Sequence, residues 1–202
     1  MPKKKTYHHG NLRKALLDAA IELIAEVGPV GFTLREITRR AGVSHNAPYR
    51  HFKSKEELLA AVATQGFREL NQALLVAAEA QPEERNSLKA CGLAYVAFAL
   101  RRSEHFAVMF DAPITQCNDR ERAEAAQAAF GTLMRAVAGH VEAGPRASET
   151  PLEPALLAWS LVHGIAKLAI AGRFPYRSKA KILKFAESAI SELLRRGLPD
   201  SC

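Results

Sequence analysis

Residues 33–52 read T-L-R-E-I-T-R-R-A-G-V-S-H-N-A-P-Y-R-H-F, and the fold is decided by how this stretch is read. Thr33 is a helix N-cap residue, and Glu36 three positions later completes a capping box. The helix that follows turns Leu34, Ile37 and Ala41 inward and leaves Arg35, Arg39 and Arg40 outward. Gly42 ends it in the left-handed conformation that glycine adopts without steric cost. Val43 fills the elbow, and Ser44 is expected to cap a second helix from about His45 to Phe52. Counted from Ser44, Pro48 falls in the first turn, where a missing N–H loses no hydrogen bond. Two short helices joined by a tight Gly-containing turn make a helix-turn-helix, whose second helix enters the major groove of DNA.

The flanks agree with that reading. Upstream, Leu17, Ala20, Ile21 and Ile24 recur at helical spacing from about Asn11 to Val27, with Asp18, Glu22 and Glu26 facing water and Gly28 as the stop. This helix closes a three-helix core to which Phe32, Ile37 and Phe52 contribute. Downstream, Ser54 and Glu57 form a second capping box, opening a helix that runs through Leu59, Val62, Leu70 and Leu74 to about Ala80, where Gln81 and Pro82 break it. Lys55 stands at the positive end of this helix, where a cation is unfavourable unless an anion sits beside it.

The pattern T-L-R-E-I-T-R-R-A-G-V-S-x-x-x-x-Y-R-H-F-x-S-K-E-E-L resembles the N-terminal domain of tetracycline-repressor-type (TetR-like) regulators, over roughly Leu12 to Leu59. Thr38 stands where that family more often has alanine, a difference of little volume. The resemblance implies a protein that binds double-stranded DNA. It also implies that Lys55 lies near the DNA backbone.

Charge is distributed as a nucleic-acid reader requires. Residues 1–58 hold 11 Lys+Arg against 6 Asp+Glu, and residues 59–202 hold 17 against 15. Lys3, Lys4 and Lys5 form either a basic arm to the DNA or a solubilising tail. The adjacent His8 and His9 lack the further ligands that a metal site needs, so neither metal nor cofactor is expected. Cys91, Cys117 and Cys202 are widely spaced and odd in number, which suits a reduced cytoplasm, and no secretory signal is visible. The longest apolar run, Ala155 to Ala171, is interrupted by His163 and Lys167, so no membrane span is expected.

Beyond Pro82 every segment carries helical spacing: Ser87–Arg102 with Tyr95, Phe98 and Arg102 on one face, a short piece at His105–Phe110, Arg120–Ala143, Pro154–Gly172 and Ser178–Gly197. Gly144–Pro154 reads as a loop. Pro154–Gly172 is apolar almost all round and so has to be covered on every side, by its own protomer and by a second copy. The stripe Ile182, Phe185, Ala186, Ala189, Ile190 and Leu193 would pair with it in a four-helix seam across a two-fold axis. Within this segment W-S-L-V-H-G, residues 159–164, resembles the Trp-His-Gly C-terminal domain type of some TetR-like regulators. By that resemblance the second half senses a ligand and dimerises.

The expected architecture is therefore all-α. A three-helix helix-turn-helix DNA-binding domain over residues 1–57 precedes a helical-bundle ligand-binding and dimerisation domain over residues 58–202. Backbone contacts fall to Thr33, Arg35, Tyr49, His51 and Lys55, and base-edge contacts to Ser44, His45, Asn46 and Ala47. Tyr95, Phe98, Phe106, Met109, Phe110, Phe130, Met134, Trp159 and His163 line the candidate pocket for a small apolar or amphipathic effector, or are simply core. His163 is either a satisfied core histidine or the polar anchor of that effector. An all-α enzyme would need a nucleophile, phosphate loop or metal cluster that the sequence does not display. A membrane-surface protein would need a basic amphipathic helix in place of a basic helix-turn-helix. The expected function is a cytoplasmic, homodimeric transcriptional repressor that leaves a near-palindromic operator when the effector binds.

Overall fold

The computed structural model describes residues 9–81, 84–112, 119–142 and 152–196. Lys3, Lys4, Lys5, His8, Cys117 and Cys202, and the loop up to Pro151, lie outside these residues. The described residues form helices α1 (His9–Val27), α2 (Leu34–Ala41), α3 (Lys55–Glu79), α4 (Glu84–Arg101), α5 (Ser103–Asp111), α6 (Arg120–Glu142), α7 (Leu152–Ile170) and α8 (Lys179–Arg196), with no strand among them. The all-α class is as expected, and the helix limits fall within a few residues of those read from spacing.

One expected helix fails. His45–Phe52 is not a continuous helix: residues 45–47 form a turn and only Pro48–Arg50 winds, as a 3-10 turn. The cause is Pro48, which has no N–H to give the Ser44 carbonyl. That carbonyl instead accepts from Ala47 N–H at 2.9 Å, and the next α-type bond runs from Phe52 N–H to Pro48 O at 2.8 Å. Ala47, not Ser44, occupies the position before the turn, and no side chain caps it.

The chain divides into two compact units. The first comprises residues 1–66 and 104–123. Its core is built from Leu16, Leu23, Phe32, Ile37, Phe52, Leu58, Leu59 and Val62, all buried, with Phe106 and Val108 of α5. The three residues read as the helix-turn-helix core are therefore in it. α3 and α5 approach closely at Gly66, where an added Cβ would lie 2.5 Å from Met109 Sδ. A helix-interior glycine, which costs about 1 kcal/mol relative to alanine, is explained by that approach.

The second unit comprises residues 67–103 and 124–202. Here α4 packs on both α7 and α8, which also pack on each other. Gly92 lets α8 close on α4, since a Cβ there would stand 2.9 Å from Ile190 Cδ1. Ile182, Ala186 and Ile190 are buried in the protomer's own core, whereas Phe185 is 40% exposed. The stripe expected to face a second copy is thus consumed, in good part, by the chain itself. Arg102 does not share the buried face of Tyr95 and Phe98; it is exposed and pairs with Glu69 at 2.9 Å. No helix among the described residues is long and apolar enough to cross a membrane.

Candidate nucleic-acid interface and candidate effector residues

The candidate interface is built on α2. The Thr33 backbone N–H donates to Glu36 Oε2 at 2.8 Å and the Glu36 N–H to Thr33 Oγ1 at 3.3 Å, which is the capping box read from sequence. The Thr33 hydroxyl, which also donates to Glu36 Oε2 at 2.9 Å, and the Thr33 backbone N–H hold the Glu36 carboxyl below its ordinary range, with the charges of Arg39 and Lys55 adding to them. At the other end Gly42 takes φ 66°, and Val43 N–H reaches back to Thr38 O at 3.0 Å, satisfying a carbonyl that the helix end would otherwise orphan. Thr38 is buried and donates to Arg35 O at 2.7 Å, so its hydroxyl is satisfied within the helix.

Beyond this elbow Ser44, His45 and Asn46 are exposed, while Ala47 is half-buried and Pro48 buried. Pro48 and Phe52 anchor the segment from beneath, so the three polar side chains project from a fixed base. The His45 and Tyr49 rings meet edge to face, centroids 6.3 Å apart, and Tyr49 is 52% exposed. Arg35 and His51 are exposed as well. Arg39, Arg50 and Lys53 are further exposed cations to which the sequence reading gave no part.

Two charged groups are held in ways that local spacing does not reveal. Arg40 grips Glu26 of α1 through both its Nη atoms, at 2.7 and 2.6 Å, and reaches Glu22 at 3.3 Å. The hydrogen bonds from Arg40 keep the Glu26 carboxyl below its ordinary range. Glu22 and Glu26 face water as read, and they also clasp α1 to α2. Lys55 Nζ donates to the carbonyls of Val30 at 2.8 Å and Phe32 at 2.7 Å and stands 4.2 Å from the Phe32 ring centroid. Burial pushes its amine down, against the raising influence of Glu56 and Glu36. Two of its three N–H donors therefore fix the loop between α1 and α2, which leaves one for a phosphate. The Ser54 box is half formed: Glu57 N–H donates to Ser54 Oγ at 3.3 Å, but the Glu57 carboxylate takes Lys53 N–H, at 2.6 Å.

In the second unit Trp159 and His163, one turn apart on α7, converge on a single hydroxyl of α4. Trp159 Nε1–H donates to Tyr95 Oη at 3.2 Å, and Tyr95 Oη lies 2.9 Å from His163 Nδ1. In the tautomer with its proton on Nε2, His163 accepts the Tyr95 O–H at Nδ1, while the Tyr95 oxygen accepts from Trp159. Burial raises the Tyr95 phenol well above its usual value, with the Trp159 bond opposing it. Phe130 meets the Trp159 ring edge-on at 6.3 Å. Of the nine candidate effector residues, these four come together. Phe98 is fully buried and Met134 half-buried in the same unit. Phe106, Met109 and Phe110 belong to the first unit, with the Phe106 and Phe110 rings 4.8 Å apart. Cys91, read as packing, is buried, donates to Leu74 O at 3.5 Å, and has its thiol pushed up by burial.

Comparison with known proteins places this geometry among regulators. Residues 16–62 match the family described as bacterial regulatory proteins, tetR family, and residues 88–193 match the tetracyclin repressor-like C-terminal domain. The HTH-type transcriptional regulator BetI of Rhizobium meliloti is 42% identical over 77 residues, covering 37% of this chain and 38% of that protein. The tetracycline repressor protein class C of Escherichia coli is 45% identical over 51 residues, covering 25% of this chain and 23% of that one. These alignments thus reach well under half the length of the curated relatives. A solved protein of unknown function from Rhodococcus sp. RHA1 is 34% identical and superposes with a TM-score of 0.76 over 96% of this chain and 99% of that one. PfmR of Thermus thermophilus, a TetR family transcriptional regulator 21% identical, shares the fold with a TM-score of 0.71, over 91% of this chain and 98% of that one.

Proposed function

This chain belongs to the tetR family of bacterial transcriptional regulators, and from that we propose that it acts as a cytoplasmic homodimeric repressor of a near-palindromic operator, released by a small apolar or amphipathic effector. The observation that carries the proposal is the exposed tripeptide Ser44-His45-Asn46 on a base anchored by Pro48 and Phe52, directly after a helix capped at both ends. Residues 1–57 form the DNA-binding part and residues 58–202 the sensing and dimerising part. Asn46 offers the amide pair that bonds adenine bidentately in the major groove, and His45 stands beside it. Thr33, Arg35, Tyr49, His51 and the remaining donor of Lys55 position the segment on the phosphates, and Ala47 packs against the base edges.

Dimerisation rests on α7. Leu152, Leu156, Leu157 and Leu168 of this helix are 37–49% exposed on one chain, more apolar surface than a helix leaves in water without purpose. Gly164 lies among them, and nothing stands within 4 Å of where its Cβ would be. A mid-helix glycine beside empty space gives a second helix room to approach. A two-fold pair also presents the two reading heads that a symmetric operator needs.

The effector site centres on Tyr95, Phe130, Trp159 and His163, an apolar cluster with one line of hydrogen bonds. The effector acts only by binding one spacing of the two heads better than the other, and α3, which begins in the first unit and ends in the second, carries the shift. The test is a salt-titrated binding curve on operator and random duplexes. Two chains per operator with preference over random sequence are expected. A monomer without preference overturns the proposal.

A further inference from the structure

The second unit carries a concentrated basic surface that the reading head does not explain. Residues 171–185, A-G-R-F-P-Y-R-S-K-A-K-I-L-K-F, hold Arg173, Arg177, Lys179, Lys181 and Lys184 and no Asp or Glu. The rest of residues 59–202 holds 12 Lys+Arg against 15 Asp+Glu, so the net positive charge of this part of the chain comes from one short stretch. All five cations are exposed, and none has an ion-pair partner among the described residues. Three of them, Lys179, Lys181 and Lys184, crowd the first two turns of α8, whose first turn has no acid. A helix N-terminus already carries partial positive charge, so this placement costs stability unless an anion neutralises it.

The aromatic residues in the same stretch make the surface rigid. Phe174 and Tyr176, in the turn between α7 and α8, fold back on Phe185 of α8. The Phe174–Phe185 centroids are 5.1 Å apart at 71°, Phe174–Tyr176 5.8 Å and Tyr176–Phe185 6.2 Å. The three rings pin the turn that carries Arg173 and Arg177 to the helix that carries the lysines. Five like charges kept together on a fixed base form a receptor for a polyanion, because the cost of crowding them is recovered when counterions are exchanged for phosphates.

We propose that residues 173–184 form a second, sequence-independent phosphate-binding surface for duplex DNA, separate from the Ser44–Asn46 reading segment. The proposal rests on the chain being a DNA-binding regulator, and duplex DNA is the polyanion such a molecule works on. A second copy of the same patch is excluded by charge. The surface steepens the salt dependence of binding and strengthens it on every sequence alike, while the reading head sets the preference.

The test compares two full-length double variants of equal net charge, both confirmed folded by circular dichroism. Lys181→Gln with Lys184→Gln alters the patch; Arg101→Gln with Arg195→Gln removes two exposed cations from α4 and from the far end of α8. Binding is measured on a random duplex and on an operator from about 50 to 200 mM salt. The patch variant should lower the slope of log affinity against log salt by about 1 to 2 on both duplexes, with the ratio between duplexes unchanged. The control should leave the slope within about 0.5 of wild type. An unchanged slope in the patch variant, with operator preference intact, overturns this inference and spares the reading head. Loss of binding to anionic phospholipid vesicles without a change in slope overturns it in favour of a lipid surface. Absence of operator preference in the wild type would instead contradict the function it rests on.

Discussion

At the scale of single residues, Lys55 and Asn46 are expected to fail differently. Asn46 is exposed and the base-edge role proposed for it is local, so Asn46→Ala should relax preference at one base pair by about 1–3 kcal/mol and leave the protein's stability unchanged. Lys55 ties the carbonyls of Val30 and Phe32. Lys55→Ala should therefore weaken every duplex alike and also lower stability by about 1–2 kcal/mol, a melting shift of several degrees in a chain of this size. Binding isotherms on a set of single-substituted duplexes, read beside thermal unfolding, separate the two. Equal losses on specific and random DNA for both variants would refute this division of labour. Tyr95→Phe keeps the ring but deprives Trp159 N–H of its acceptor and His163 of its partner. Urea unfolding should show a loss of about 1–3 kcal/mol, while a value within about 0.3 kcal/mol of wild type would mean the hydroxyl holds nothing. These residues also mark how far the sequence could be read. The Thr33–Glu36 box and the Gly42 terminus were legible because both depend on neighbours within a few positions. The Arg40–Glu26 clasp, the Lys55 carbonyl bonds and the convergence of Trp159 and His163 on Tyr95 were not, because their partners lie 14 to 68 residues away in the chain and are joined only by helix packing.

At the scale of elements, the segment after Ser44 shows how a single residue decides a helix. Spacing alone called for eight helical residues, but the missing N–H of Pro48 leaves a turn and three residues of 3-10 helix. His45 and Asn46 consequently sit on a turn held by Pro48 and Phe52, not along a straight rod. The opposite lesson comes from α8. Its apolar stripe was visible, but a stripe does not state what covers it, and α4 takes up Ile190 through the space left by Gly92. The face left over is that of α7, where Gly164→Leu adds a Cβ that meets nothing within 4 Å in its own chain. That change should preserve or raise helix stability, since glycine costs about 1 kcal/mol inside a helix. It should nonetheless shift the protein from dimer to monomer in analytical ultracentrifugation. A Leu variant that dimerises like wild type would move the two-fold seam away from α7.

At the scale of the whole molecule, the chain combines a basic first segment, residues 1–58, with residues 59–202, which outside one basic stretch hold 12 Lys+Arg against 15 Asp+Glu. Fold class and family were both legible, because helical periodicity runs through the chain and the helix-turn-helix pattern is specific. The proposed regulatory cycle needs only that two copies hold their reading segments at a spacing that the effector can bias. The most direct test is selection of duplexes from a random pool by the purified wild-type protein, followed by sequencing of the bound fraction. The expected result is one enriched site made of two half-sites related by a two-fold axis, their centres about one helical turn of DNA or a multiple of it apart. Enrichment of a single unsymmetric half-site, or of no sequence at all, would contradict the account.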